Sequence, residues 1–311
     1  MNNFNQDDKF TLARKAKALQ LRSKLIQSIR FFFIQNNFLE VETPVRIPSP
    51  APEEHIEAIT SEDWFLQTSP ELCMKRLLAA GYPRIFQISK CFRATERGDK
   101  HLPEFTMLEW YVAGFDYHQL MDQNESLICS VTQDMDITRI NRKDKKINLS
   151  SPWERVTVKD AFLKYAPITL EDALDQDKFD ETMVEYIEPH LGIDRPTFIY
   201  DYPAKMAALA KIKKSNPAVA ERFELYIGGL ELANGFSELT NANEQRQRFE
   251  EALKARAAKR WAHYAMPEKF LKIMPTMPES AGIALGIDRL MMLLADTNKI
   301  DDVVAFAPES L

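Results

Sequence analysis

The stretch Glu104-Phe-Thr-Met-Leu-Glu-Trp-Tyr-Val112 places a carboxylate and a phenol inside an apolar strand. Side chains alternate faces along a strand, so Phe105, Met107, Glu109 and Tyr111 share one side. An unpaired buried charge is costly, so Glu109 is either exposed at a sheet edge or meets a cationic or hydrogen-bonding partner. A second acidic group lies between Glu221 and Phe236. There Gly228-Gly229 reads as a two-residue hairpin turn that sets Ile227 opposite Leu230 and Tyr226 opposite Glu231. Glu224 and Glu231 then lie on one face. Carboxylates held close together repel unless a positive charge intervenes, and a hard, oxygen-preferring ion such as magnesium suits that place. Glu238, in Asn234-Gly-Phe-Ser-Glu-Leu239, is a third acid nearby. The plain alternative for any one of them is a solvated acidic rim.

Arg93, at the end of a strand, and Arg289, at the start of the last helix, supply the opposite sign. Arginine offers planar, bidentate donors for phosphate or carboxylate, and a helix N-terminus adds free amides and a favourable dipole. Gly282 and Gly286 leave room for a ligand against the backbone. Together these residues point to a nucleotide site. The five histidines, His55, His101, His118, His190 and His263, show no ligand spacing, and no nucleophile elbow is present.

The elements that must position these residues are legible from periodicity. Apolar residues recur at three- and four-residue steps from Leu12 to Asn36, which predicts one long amphipathic helix followed by an edge strand at Phe38 to Pro44. The proline-rich run Arg46 to Glu54 reads as an exposed connection. Short strands follow at Ile56 to Thr60 and Trp64 to Thr68, then a helix to Ala80 with Ser69 at its cap. Arg84 to Arg93 and Glu104 to Ala113 read as a hairpin with a long charged loop. Asp116 to Thr132, Thr157 to Tyr165 and Leu170 to Leu191 read as helices without chemistry. Thr197 to Tyr202 is a strand, Asn243 to Trp261 a charged helix, and Gly282 to Ile287 a strand that runs into a helix at Asp288. Strands and helices do not alternate regularly, so an antiparallel α+β core is expected rather than a doubly wound sheet.

Composition agrees with a folded enzyme: 311 residues, 45% hydrophobic and 28% charged, with a net charge of −6. No overall basic field would draw in RNA. Cys73, Cys91 and Cys129 form neither a disulfide framework nor a C-x-x-C pair, and no signal peptide or spanning segment is read, so a cytoplasmic, non-membrane protein is expected.

Glu40-Val-Glu-Thr-Pro44, Phe92-Arg93 with Pro103 to Glu109, and Gly282-Ile-Ala-Leu-Gly-Ile-Asp-Arg289 resemble the three signature motifs of class II aminoacyl-tRNA synthetases. Thr68-Ser-Pro-Glu71 and Glu231-Leu-Ala-Asn-Gly-Phe-Ser-Glu-Leu239 resemble the lysyl branch in particular. The resemblance implies an antiparallel sheet flanked by helices, a homodimer built on the first motif, and ATP bent over the sheet with Mg2+. It also implies roles. Arg93 would bind the α-phosphate and substrate carboxylate, Arg289 the γ-phosphate, and Gly286 the adenosine end. Thr95, Glu96, His101 and Leu232 would border the ATP, and Glu224 with Glu231 would hold the metal. Ser69 and Pro70 would bind the substrate and Glu71 would receive its amino group near the reacting carboxyl, while Glu109, Tyr111 and Glu238 would enclose its distal ammonium.

Only about 40 residues precede the first motif, too few for an anticodon-binding barrel, so residues 1–311 are expected to form a single catalytic domain and tRNA is disfavoured. A lysyl-type synthetase of this kind resembles the elongation factor P lysine ligases, a paralogue family that moves activated (R)-β-lysine onto a lysine of elongation factor P. Ala284 and Ala233 stand where lysyl-tRNA synthetases carry glycine. A methyl group at Ala284 would crowd an α-amino group and favour (R)-β-lysine over lysine. The second motif departs from the usual Arg-x-Glu, because Ala94 and Thr95 separate Arg93 from Glu96, and Leu102 replaces a polar residue. A compact lysyl-tRNA synthetase and a non-catalytic amino-acid-binding paralogue are the alternatives.

Overall fold

The four-residue repeat of the first helix and the two-residue repeat of Glu104–Ala113 are matching halves of one core. The computed structural model describes residues 12–142 and 145–311. Helix α1 (Ala16–Gln35) buries Leu25, Ile29 and Phe33 and leads into strand β1 (Leu39–Glu40). Helix α2 (Glu71–Ala79) precedes the predicted hairpin of β2 (Arg84–Phe92) and β3 (Glu104–Ala113), and α3 (Tyr117–Asp134) follows it. The main sheet continues with β4 (Glu154–Thr157), β5 (Thr197–Pro203), β6 (Val219–Ile227), β7 (Leu230–Ser237) and β8 (Ser280–Gly286). Helix α4 (Ala242–Ala258) lies between β7 and β8 in sequence, and α5 (Ile287–Leu294) begins as β8 ends.

The eight strands are ordered β1-β2-β3-β8-β7-β6-β5-β4. Pairing is antiparallel from β2 through to β5, as the sequence predicts, and parallel at the two edges, where β1 joins β2 and β4 joins β5. Alternation gives β3 two unlike faces. Leu108, Trp110 and Val112 enter the main core, where Phe33 stacks on Phe86 at 4.6 Å and meets Trp110 at 5.3 Å. Helix α3 covers the same side with Leu120, Leu127, Ile128 and Val131. Its start is fixed by a capping box: the Asp116 side chain accepts from the Gln119 amide, and the Gln119 side chain accepts from the Asp116 amide.

Three expectations are corrected. The helix expected over Leu170 to Leu191 is broken into Leu170–Asp175, Phe179–Thr182 and a π-helical turn at Met183–Ile187. The break falls at Asp177, whose φ of 55° is left-handed, a conformation that aspartate tolerates better than most residues. It lets Ala173, Phe179, Met183 and Ile187 pack as a satellite core against Tyr202 and Tyr226.

Second, Arg46 to Glu54 is not simply an exposed connection. Arg46–Ile47 pairs into a three-stranded sheet with Thr60–Ser61 and Trp64–Leu66, and Pro50, Ala51 and Pro52 are buried. Third, Pro70 rather than Ser69 is the cap of α2. Ser69 Oγ still accepts from the Glu71 amide at 3.0 Å, while its own proton goes to Glu109.

Candidate active site

The face of the sheet turned away from the main core carries the site. Across the strands, one rung holds Gln87, Glu109, Ala284, Asn234 and Glu224, and the next holds Ile85, Tyr111, Gly282, Phe236 and Arg222. Glu109 and Glu224 therefore stand about 14 Å apart, three strand spacings.

Regular alternation would not achieve this. Glu231 and Glu238 are 7 positions apart, an odd step, so an unbroken strand would send them to opposite faces. A bulge intervenes: Tyr226 pairs with Glu231 as predicted, but Leu225 pairs with Ala233, leaving Leu232 unpaired. The extra residue shifts the alternation, and Glu231, Asn234 and Phe236 come to line one cavity.

One end of that cavity is acidic and buried. Glu109, 1% exposed, accepts from Ser69 Oγ at 2.6 Å and from the Tyr111 hydroxyl at 2.9 Å. Burial, and then the charge of Glu71, push its carboxyl up to about 8. Beside it lies an internal cation. Lys75 Nζ is 2.5 Å from both Glu71 and Glu238. Burial opposes the Lys75 charge, but Glu238 and Glu71 outweigh it and hold the ammonium above its ordinary value.

Glu238, fully buried, is itself pushed up to about 8 by burial, against the pull of Lys75. The fit is close: a Cβ at Gly282 would meet the Tyr111 ring at 2.3 Å and Glu238 Oε1 at 2.5 Å, so only glycine suits that position. Three carboxylates, Glu71, Glu109 and Glu238, thus face one ammonium, Lys75. Ionised together they leave two negative charges unanswered, which suits a ligand carrying two ammonium groups.

The other end is cationic and more open. Arg289 donates to the Glu231 carbonyl at 2.9 Å and carboxylate at 3.0 Å, and lies 2.5 Å from His101 Nε2. Burial and the neighbouring Arg289 charge lower the His101 pKa, so its neutral ring accepts this contact. Arg93 pairs with Glu96 at 3.2 Å and lies over the Phe105 ring at 5.1 Å. Gly286, Leu102, Leu232 and Ala284 complete the wall.

The geometry thus joins acids that suit a diamine to arginines that suit phosphate, and comparison with known proteins identifies the type. The family pattern described as "tRNA synthetases class II (D, K and N)" matches residues 9–310. The chain belongs to this family. Within it, the chain groups with the elongation factor P–(R)-β-lysine ligases. It is 40% identical to the protein of that name from Haemophilus influenzae (strain PittGG), over 94% of this chain and 96% of the relative. It is 38% identical to that from Proteus mirabilis (strain HI4320), over 92% and 93%. The Vibrio cholerae relative (strain ATCC 39315 / El Tor Inaba N16961), of the same name, is 40% identical over 93% and 94%.

Not every residue that the synthetase motifs single out reaches the cavity. Ser69, Glu71, Arg93, Glu96, His101, Glu109, Tyr111, Glu231, Leu232, Ala284, Gly286 and Arg289 line it. Pro70 is buried behind Ser69, Thr95 is exposed outside the lining, and Glu238 sits behind Gly282. Glu224 also lies outside the lining. It accepts from Tyr202 at 2.6 Å, Tyr226 at 2.9 Å and Arg222 at 2.7 Å. Burial and the nearby Glu231 raise its pKa.

A carboxylate has about four lone-pair sites, so one remains. Among the described residues no group of three or more His, Cys, Asp or Glu side chains could hold a metal. Magnesium bound with a nucleotide asks for less, one or two carboxylates plus phosphate oxygens, and the chain offers Glu231 on the cavity wall and Glu224 outside it.

Sequence reasoning missed three side chains. Lys75 follows Glu71 by one helical turn, which was the available signal. Arg222 donates to Asn234 at 3.2 Å, Met206 carbonyl at 2.7 Å and Glu224, and lies 4.4 Å from the Tyr202 ring centre. Glu53 lines the cavity from the proline-rich run.

Proposed function

We propose that the chain activates (R)-β-lysine with ATP and Mg2+ and passes the aminoacyl group to a lysine of elongation factor P. The observation that carries this reading is the cavity itself, with three carboxyl groups around one ammonium at one end and two arginines at the other. The first step is in-line attack of the substrate carboxylate on the α-phosphate of ATP, forming the acyl-adenylate and pyrophosphate. Ser69, Glu71, Glu109 and Tyr111 hold the two ammonium groups, with the Glu238 charge behind Gly282 adding to their pull, and so fix the carboxylate's approach. Arg93 neutralises charge developing at the α-phosphate, and Arg289 anchors the terminal phosphate after giving up Glu231. Magnesium, held by Glu231 and Glu224, would offset the negative charge of the phosphates. In the second step an acceptor amine attacks the acyl carbon and AMP leaves. No protein nucleophile is required.

Ala284 lies between Glu109 and Asn234 on one rung and lines the cavity, which supports the β-amino isomer over α-lysine. Thr95 lies outside the cavity, so we assign the ATP border to Glu96, His101 and Leu232. A homodimer is supported by Phe31 and Ile34, 59% and 58% exposed on α1, beside Leu39 of edge strand β1, 49% exposed. We assign all 311 residues to one catalytic unit. The three cysteines are free thiols, which supports a cytoplasmic setting. No helix among the described residues is long and apolar enough to cross a membrane.

ATP–pyrophosphate exchange with α-lysine and (R)-β-lysine, followed by transfer to elongation factor P or tRNA, tests the reading. Faster exchange with the β-isomer and label on the factor are expected. Charging of tRNA would make the chain a compact lysyl-tRNA synthetase, and absence of exchange with either isomer would make it an amino-acid-binding paralogue.

A further inference from the structure

The acceptor amine arrives as an ammonium and attacks only after losing a proton, so the transfer step needs a base that the motifs do not name. Six acids line the cavity: Glu53, Glu71, Glu96, Glu109, Glu231 and Asp288. Five are engaged. Glu71 holds Lys75, Glu96 pairs with Arg93, and Glu231 pairs with Arg289. Glu109 accepts from Ser69 and Tyr111, and Asp288 pairs with Arg22 and accepts from the Thr106 amide. Among the described residues no hydrogen bond or ion pair engages the Glu53 carboxylate.

Its backbone, by contrast, is firmly held. Arg256 of α4, 1% exposed, donates to the carbonyls of Glu53 at 3.0 Å and Ile56 at 2.6 Å, and to the Glu57 carboxylate at 2.5 Å. Tyr264 accepts from the Ala58 amide at 2.7 Å, and buried Pro52 restricts the backbone just before Glu53. An unpaired carboxylate on a clamped backbone, directed into a reaction cavity, is the arrangement expected of a proton acceptor.

From this placement we infer that Glu53 is the general base of the transfer step; the assignment rests on the activation reading above. Glu53 takes one proton from the acceptor ammonium. The freed lone pair forms the C–N bond to the acyl carbon, the acyl C–O bond to the α-phosphate breaks, and AMP leaves with that electron pair. The second proton lost by nitrogen goes to water.

The groups facing Glu53 are Glu71 and Lys75 of α2, Arg93 at the end of β2 and Arg222 of β6. Burial and Glu71 push its carboxyl up to about 7, against Arg93, Arg222 and Lys75. A carboxylate of that strength is closer to an ammonium, ordinarily about 10.4, and is still ionised in part at neutral pH.

The test compares wild type, Glu53→Gln and Glu53→Asp in pyrophosphate exchange and in single-turnover transfer from preformed adenylate. Elongation factor P and n-butylamine serve as parallel acceptors, so the test stands whichever macromolecule is the natural one. Glu53→Gln is expected to slow transfer about 100-fold more than it slows exchange, with partial recovery in Glu53→Asp. Wild-type transfer should level off above pH 7, whereas the Gln variant should keep climbing as free amine accumulates.

Equal losses in exchange and transfer would overturn the assignment. So would a raised KM for the diamino acid with intact transfer, which would make Glu53 a substrate ligand instead. Absence of exchange in the wild type, seen before any variant is made, would remove the activation reading and this assignment with it.

Discussion

At the acid end of the cavity Lys75 and Glu238 have side chains 1% and 0% exposed, whereas at the arginine end Arg93 and Arg289 are 23% and 21% exposed. The charges also differ in how they are answered. Arg93 and Arg289 each hold a carboxylate that a phosphate can replace. Glu71, Glu109 and Glu238 outnumber Lys75, and burial answers the excess by holding protons on Glu109 and Glu238 up to about pH 8. In a dry site such an imbalance is expensive, so the acid end selects its ligand by charge count; in the wetter site, exchange of one anion for another is cheap and reversible. Selection and reaction are therefore built in different dielectrics on one sheet face.

Removing the internal cation should break that division most severely. Lys75→Met leaves Glu71 and Glu238 buried without their partner, and a loss of about 3–5 kcal/mol in stability is expected by denaturant unfolding. A variant as stable as wild type would show that Lys75 does not neutralise the acid end. Arg93→Ala should leave folding intact while lowering the exchange rate about 100- to 1,000-fold, the usual cost of removing one donor to developing charge. A smaller fall, confined to KM for lysine, would move Arg93 from the reaction to simple binding.

A subtler change sharpens the selective end. Ala284→Gly removes one methyl group and should shift the ratio of kcat/KM for the two lysine isomers by about tenfold towards α-lysine. If the ratio stays fixed, isomer choice lies elsewhere.

The smallest effect is a pH dependence of binding. Glu109 and Glu238, both raised to about 8, hold protons below that pH in the empty protein, and an ammonium ligand favours their ionised forms. Lysine should therefore bind more tightly as pH rises from 6 to 8 and level off above; calorimetry at several pH values, with proton release measured, checks it. The same raised values make the empty protein less stable as pH climbs from the ordinary 4.5 towards 8, because the folded state binds more protons than the unfolded one there. Ligand protection in a melting experiment should accordingly be larger at pH 8.5 than at 6.5.

How much of this was legible follows from the range of the forces involved. Strand alternation placed Glu109 and Tyr111 together, and the Gly228-Gly229 turn fixed Tyr226 opposite Glu231, because both are set by neighbouring residues. Glu53 escaped detection because its position depends on Arg256, 203 residues further along the chain. Lys75 escaped because a lysine at helical spacing from a glutamate is ordinarily a surface pair, and only the sheet packed above it makes it a core residue. The single helix expected over Leu170 to Leu191 breaks because its apolar residues serve a satellite core reached only after a turn at Asp177.

Leu232 sets the phase of everything after it on β7. Deleting that one residue would leave every other side chain of the strand unchanged in kind, yet it would rotate Asn234, Phe236 and Glu238 through the sheet while Glu231 stayed in place. The loops around this site can absorb insertions, but here the strand behaves like a coding frame: a single-residue slip would scramble every later side chain, and no point substitution within the strand could restore it.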